Sequence, residues 1–125
     1  MIASSAYKAY KNTLANTTDD RLNIIGIMYD GALSYAVKAK EAIENKNILE
    51  KVYAIERLNS ILLALRNVLD VKNYPEAGKF LESIYDFLLL QTLKANLNNN
   101  IEEMEVVIRY LQKMSEIWNK DVLKK

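Results

Sequence analysis

Two residue types are missing from this chain: it has no cysteine and no histidine. Without cysteine there is no disulfide framework and no thiolate metal ligand, a composition that fits a reducing compartment. Without histidine as well, most zinc sites, the common catalytic triads and the usual proton shuttle at neutral pH are excluded. A carboxylate-bridged di-iron bundle falls by the same absence, because it needs Glu-x-x-His motifs. Glycine is scarce, and Gly26, Gly31 and Gly78 stand singly, so no glycine-rich loop is available to cradle a phosphate. A charge excess is lacking too: 17 Lys and Arg meet 16 Asp and Glu, for a net charge of +1, which points to neither nucleic acid nor anionic lipid. No apolar run approaches the roughly 20 residues of a membrane-spanning helix, and the start lacks the apolar core of a secretory signal. What is expected is one soluble, intracellular, non-enzymatic domain over residues 1–125 that needs no metal or cofactor and meets any partner through apolar surface.

What is present is helical periodicity. Between Asp20 and Glu44, the residues Leu22, Ile25, Tyr29, Ala32, Ala36, Ala39 and Ile43 recur in steps of three and four, one buried stripe of a first long helix. A glycine inside such a helix costs roughly 1 kcal/mol against alanine, so Gly26 and Gly31 ask for a reason such as close approach of another chain or helix. Before it, Tyr7 and Tyr10 share one side of a short segment that is marginal unless docked. Asn16 to Asp20 supplies N-caps and acids that suit a helix start.

Asn45 to Asn47 interrupts the pattern, and Asn47-Ile48-Leu49-Glu50 has capping-box spacing. A second helix carries Ile55, Leu58, Leu62, Leu65 and Leu69 as its seam, widened by Val52 and Ile61, and ends near Val71. Pro75, the single proline, suits the first turn of a third helix running to about Leu97. That helix has Ala77, Leu81, Ile84, Leu88 and Ala95 on one side and Phe80, Phe87 and Leu90 on others, more apolar surface than one stripe needs. After a second capping-box spacing at Asn100-Ile101-Glu102-Glu103, a last helix presents Ile101, Met104, Ile108, Leu111, Met114 and Trp118, with fraying expected from Asp121. Four long helices with short connections predict an all-α fold, an antiparallel up-down four-helix bundle over residues 19–122 with a short N-terminal helix laid against it.

The acid pairs Asp19-Asp20 and Glu102-Glu103 stand at helix starts, where capping and dipole complementarity account for them without catalysis. Lys38, Lys40, Lys46, Lys51 and Arg57, with Tyr35 and Tyr53 beside them, are interrupted by Glu41, Glu44, Glu50 and Glu56, the pattern of a solvated helix face. Tyrosine is more informative: it makes up eight of the eleven aromatics. Its large apolar ring and single hydroxyl suit both the edge of a core and the anchors of a binding groove, and both readings stand for Tyr29, Tyr85 and Tyr110.

Several of these residues occur together in a known family. Ala6-Tyr7-x-x-Tyr10, Tyr29-Asp30-Gly31-Ala32 after Met28, Ile84-Tyr85-Asp86-Phe87, Leu93-x-Ala95-Asn96 and Trp118 resemble, in order, signatures of the flagellar secretion chaperone FliS over nearly the whole chain. Thr18-Asp19-Asp20-Arg21 departs from the family's usual Thr-Ala-Ser-Pro, and Pro75-Glu76-Ala77 from its Gly-Glu-x-Ala. The resemblance implies a cytoplasmic export chaperone that binds the disordered C-terminal segment of flagellin, prevents its premature polymerisation and keeps it competent for type III secretion. Export-gate components and other flagellar regulators are further partners it suggests. By the same resemblance, Tyr7 and Tyr10 in residues 1–18 form a displaceable plug. Partner contacts are expected at Ile25, Met28, Tyr29, Ala32, Leu33, Leu62, Leu65, Tyr85, Leu89 and Asn96. The alternative from another class is a self-associating structural or regulatory bundle.

Overall fold

The computed structural model describes residues 19–122, with side-chain surroundings from Asn23 onward. The expected N-terminal helix, with Tyr7 and Tyr10, and the cap residues before Asp19 lie outside the described residues. Four helices account for most of the rest: α1 (Asp19–Glu44), α2 (Ile48–Asn67), α3 (Pro75–Asn98) and α4 (Ile101–Ile117), the last continued by a π-helical turn over Trp118–Val122. No strand occurs among the described residues. Helix α1 packs against α2 and α4, and α3 packs against the same two.

The period of the apolar residues decides which faces meet. On α1, Ile25, Tyr29, Ala32, Ala36, Ala39 and Ile43 are all buried, as the stripe predicts. On α2, the seam Ile55, Leu58, Leu62 and Leu65 is buried, as is Leu69 just beyond the helix end, while Ile61 is half-buried and Val52 is exposed, so the apolar face is wider than the core uses. Helix α3 buries Gly78, Leu81, Tyr85, Leu88, Thr92 and Ala95, an unbroken alternation of threes and fours. Ala77 and Ile84 sit at the edge of that stripe, half-buried. In α4, Met104, Val107, Leu111 and Met114 are buried, as is Trp118 at the start of the π turn, with Ile108 packed against the same core. Of the residues expected to fray, Asp121 and Val122 are wound into the π turn, with Val122 packed on the core, and residues 123–125 lie outside the described residues.

The two short links are built alike. Lys46 and Asn99 hold positive φ, 56° and 49°, and the next residue's N–H turns back to the preceding helix, Asn47 to the Ala42 carbonyl at 2.9 Å and Asn100 to the Ala95 carbonyl at 3.0 Å. This closes one helix with a left-handed residue while the following asparagine caps the next. Asn47 Oδ1 accepts from the Glu50 N–H at 3.1 Å and Asn100 Oδ1 from the Glu103 N–H at 2.9 Å. Only half of each expected capping box therefore forms. The amide that Glu50 or Glu103 would reach back to is already spent on closing the helix before it.

The third link departs from expectation in length. Helix α2 stops at Asn67 rather than near Val71, and Asp70 organises the turn, accepting from the Asn73 N–H and Asn73 Nδ2, both at 3.1 Å. The turn folds back so closely that a Cβ on Gly78 would lie 2.8 Å from Val71 Cα, a backbone atom that cannot yield as a side chain would. Gly78 thus sets how tightly this link lies against α3.

Two stability predictions follow from the links. Gly78→Ala should destabilise by about 1–3 kcal/mol, the usual cost of overpacking, read as a lower urea midpoint; an unchanged midpoint would show that the link moves aside freely. Lys46→Gly should stabilise by about 1 kcal/mol, since glycine bears no steric penalty at positive φ, and thermal unfolding measures it.

Candidate functional site

The two Tyr-Asp dipeptides that stand out in the sequence are placed in matching ways. Tyr29 on α1 and Tyr85 on α3 are both buried, and their hydroxyls meet in a hydrogen bond of 2.6 Å. Trp118 closes on Tyr29 edge to face, with ring centroids 5.8 Å apart. Each aspartate, one residue on, turns away from the core toward a neighbouring helix. Ser115 Oγ on α4 donates to Asp30 Oδ1, and Asn119 Nδ2 donates to the Ser115 carbonyl at 3.0 Å. Arg66 on α2 grips Asp86 with Nε at 2.7 Å and a second nitrogen at 3.4 Å, and its guanidinium also lies 3.7 Å from Glu82. The hydrogen bond to Asp86 raises the Arg66 pKa above its ordinary value. These are fastening interactions. Among the described residues no group of three His, Cys, Asp or Glu side chains could hold a metal ion, and no helix is long and apolar enough to cross a membrane.

Of the expected contact residues, Ile25, Tyr29, Ala32, Leu62, Leu65 and Tyr85 are buried. Met28, Leu33 and Leu89 are half-buried against the core, and Asn96 is half-buried with its carbonyl accepting from Lys51 Nζ at 3.2 Å. Gly31 backs onto the neighbouring helix: a Cβ there would meet Ile61 Cδ1 of α2 at 3.4 Å. The structure therefore divides the set into an inner group and a smaller outer group, with Leu89 and Asn96 on α3 and Met28 and Leu33 on α1.

The described residues also expose more apolar surface than a closed core leaves. Val52 and Leu63 on α2, and Leu90, Leu93 and Leu97 on α3, are exposed. Between α3 and α4, Ile84, Tyr110 and Met114 line a depression of about 270 Å³ rimmed by Arg109 and Lys113, with Phe87 against Tyr110 at 5.2 Å between centroids. Clustered apolar side chains rimmed by charge are a usual mark of protein contact. On the α1–α2 side, Tyr35 and Tyr53 stack edge to face, with Lys38 and Arg57 each 5.2 Å over a ring, so cation–π pairing occupies both of these aromatics.

The described residues thus form a helical protein with a tyrosine-fastened core and exposed apolar side chains, and similarity to known proteins gives its family. The profile of the family described as "Flagellar protein FliS" matches residues 3–125. A flagellar secretion chaperone FliS of Campylobacter jejuni is 31% identical over 113 residues, covering 90% of this chain and 88% of the relative. The Salmonella typhimurium FliS is 28% identical over 122 residues (94% and 90%), and that of Bacillus subtilis 24% over 128 residues (98% and 90%). The chain belongs to the FliS family of flagellar secretion chaperones.

Sequence reading missed three residues that matter here. Lys51, placed with the solvated charges, is buried; Thr92 and Gly78 lie on the core stripe of α3. The unbroken spacing of 78, 81, 85, 88, 92 and 95 was available as a signal, but polar and small residues dilute an apolar stripe. The hydroxyl bridge yields its own prediction. Tyr29→Phe and Tyr85→Phe should each lower stability by about 1–3 kcal/mol, and the double variant should lose less than the two singles combined. A double-mutant cycle by urea unfolding reads the coupling; strict additivity would mean that the two hydroxyls do not act on each other.

Proposed function

We propose that this protein is a cytoplasmic export chaperone that binds the disordered C-terminal segment of flagellin, holds it from polymerising and keeps it competent for flagellar type III secretion. The observation that carries the reading is the family match across residues 3–125 together with exposed apolar side chains on α2 and α3. A disordered client that folds as it binds can wrap a large surface and set helical turns into apolar grooves, without nucleotide or catalysis. The relatives are named as flagellar secretion chaperones, which favours export components and other flagellar regulators as further partners.

The scaffold in this reading is an antiparallel up-down bundle forming one domain. Paired contacts support it: Gly31 with Ile61 and Tyr35 with Tyr53, Arg66 with Asp86 and Lys51 with Asn96, Asp30 with Ser115 and Lys40 with Glu105. In each pair of helices, numbers rise along one as they fall along the other. Client contacts run over Met28, Leu33, Leu89 and Asn96 and the exposed leucines beside them. Ile25, Tyr29, Ala32, Leu62, Leu65 and Tyr85 shape that surface from beneath. Residues 1–18, with Tyr7 and Tyr10, act as a plug that client displaces.

Co-expression with flagellin and with flagellin lacking its C-terminal segment tests the binding mode. Recovery of the full-length client alone is expected, and equal recovery of both would refute it. Deletion of residues 1–11 should leave helicity intact and speed client association in stopped-flow mixing; a cooperative loss of helicity would assign that segment to the core instead.

A further inference from the structure

Where the α1–α2 and α3–α4 links come together, a cavity of about 320 Å³ is walled by Ala42, Ile43 and Ile48 and edged by Lys46, Asn47, Lys51 and Asn99. Lys51 is only 9% exposed. Its ammonium donates to the Asn96 carbonyl at 3.2 Å and to Asn99 Oδ1 at 2.7 Å, two neutral acceptors, and it forms no ion pair among the described residues. A buried cation without a counter-charge is costly, and of the three N–H donors of an ammonium one remains after these two bonds.

The neighbouring groups are donors as well. Asn47 Oδ1 is engaged by the Glu50 N–H and Asn99 Oδ1 by Lys51, which leaves the Nδ2 groups of both asparagines to donate. Lys46 adds a second ammonium, also without an ion pair among the described residues. Glu44 and Glu50, the nearest acids in sequence, do not line the cavity. Two ammonium groups, amide donors and apolar side chains lining one cavity describe a receptor for a carboxylate joined to an apolar side chain.

We infer that this cavity receives the carboxyl-terminal end of a partner protein chain, with the carboxylate on Lys51, Lys46 and the two asparagine amides and the last apolar side chain against Ala42, Ile43 and Ile48. A chain end suits these side chains better than a passing segment, whose backbone N–H groups would meet further donors, and capture of terminal carboxylates is an established recognition mode. A protein suits it better than a free anion because Ile48, 69% exposed, lines the cavity beside Ala42 and Ile43 with apolar surface that an ion would leave uncovered. The site lies at the opposite end of α1 and α2 from the Tyr29–Tyr85 bridge. It does not depend on the partner being flagellin.

The test is NMR titration of the whole chain with N-acetyl-L-leucine, a mimic of a terminal leucine, against N-acetyl-L-leucinamide and acetate. The acid should shift the side-chain amide signals of Asn47 and Asn99 with a dissociation constant of about 1–10 mM, as its small size dictates, while neither the amide nor acetate matches it. Lys51→Met should weaken binding about tenfold, the effect of losing a charge-assisted bond. Lys46→Gly should weaken it several-fold while leaving the thermal midpoint no lower than the parent's, so a loss there cannot be ascribed to unfolding. Equal shifts with acid and amide, acetate binding as tightly as N-acetyl-L-leucine, or no saturable shift up to about 50 mM would overturn the inference.

Discussion

The hydroxyl contact between Tyr29 and Tyr85 is the interaction on which the interior of this protein turns. It joins α1 to α3, two helices that otherwise meet each other little and pack instead on α2 and α4. A buried hydroxyl must find a partner, so the two tyrosines hold α1 and α3 at one separation and one register. Leucine at either place would fill similar space without fixing either quantity. Trp118 braces Tyr29 from the π turn that continues α4, and Asp30 and Asp86 fasten the same dipeptides outward to α4 and α2. All four helices are thereby tied to one polar joint inside an apolar core.

That joint explains why the most conspicuous residues of the sequence are not themselves the outermost. Tyr29-Asp30-Gly31-Ala32 suggests a binding motif by its oddity, yet Tyr29 and Ala32 are buried and Gly31 accommodates Ile61 of α2. Their effect on a partner in the proposed function is indirect, through the placing of α1 and α3. The surfaces left for contact are the plainer ones, with leucines on α3, Val52 and Leu63 on α2, and the aromatic depression between α3 and α4. Hydrophobic anchors bind by area and position, and positions are what a rigid joint supplies.

Much of the fold was legible because helical periodicity is strong here. The stripe from Ile25 to Ile43 and the seam from Ile55 to Leu69 are buried as predicted, and Pro75 opens α3. Harder to read were features that depend on the tertiary neighbourhood. Nothing local distinguishes Lys51, which is buried, from Lys46 or Lys40, and Gly78 reveals its role only once Val71 lies against it. Capping-box spacing was readable at Asn47 and Asn100, but whether the return bond forms depends on how the previous helix ends. For the surface, periodicity named the seams without saying which side of a wide apolar face is covered, and that is why the residues expected to touch a partner split between inside and outside.

In the proposed function two tasks are separate: a polar joint within the core holds the shape, and exposed apolar side chains on α2 and α3 meet the client. Isothermal titration of a Leu93→Ser, Leu97→Ser variant with the C-terminal flagellin segment tests that separation most directly. The account predicts an affinity at least about tenfold below the parent's, as for the loss of central anchors, with an unchanged urea midpoint because both leucines are exposed. Parent-like affinity in a folded variant would contradict it.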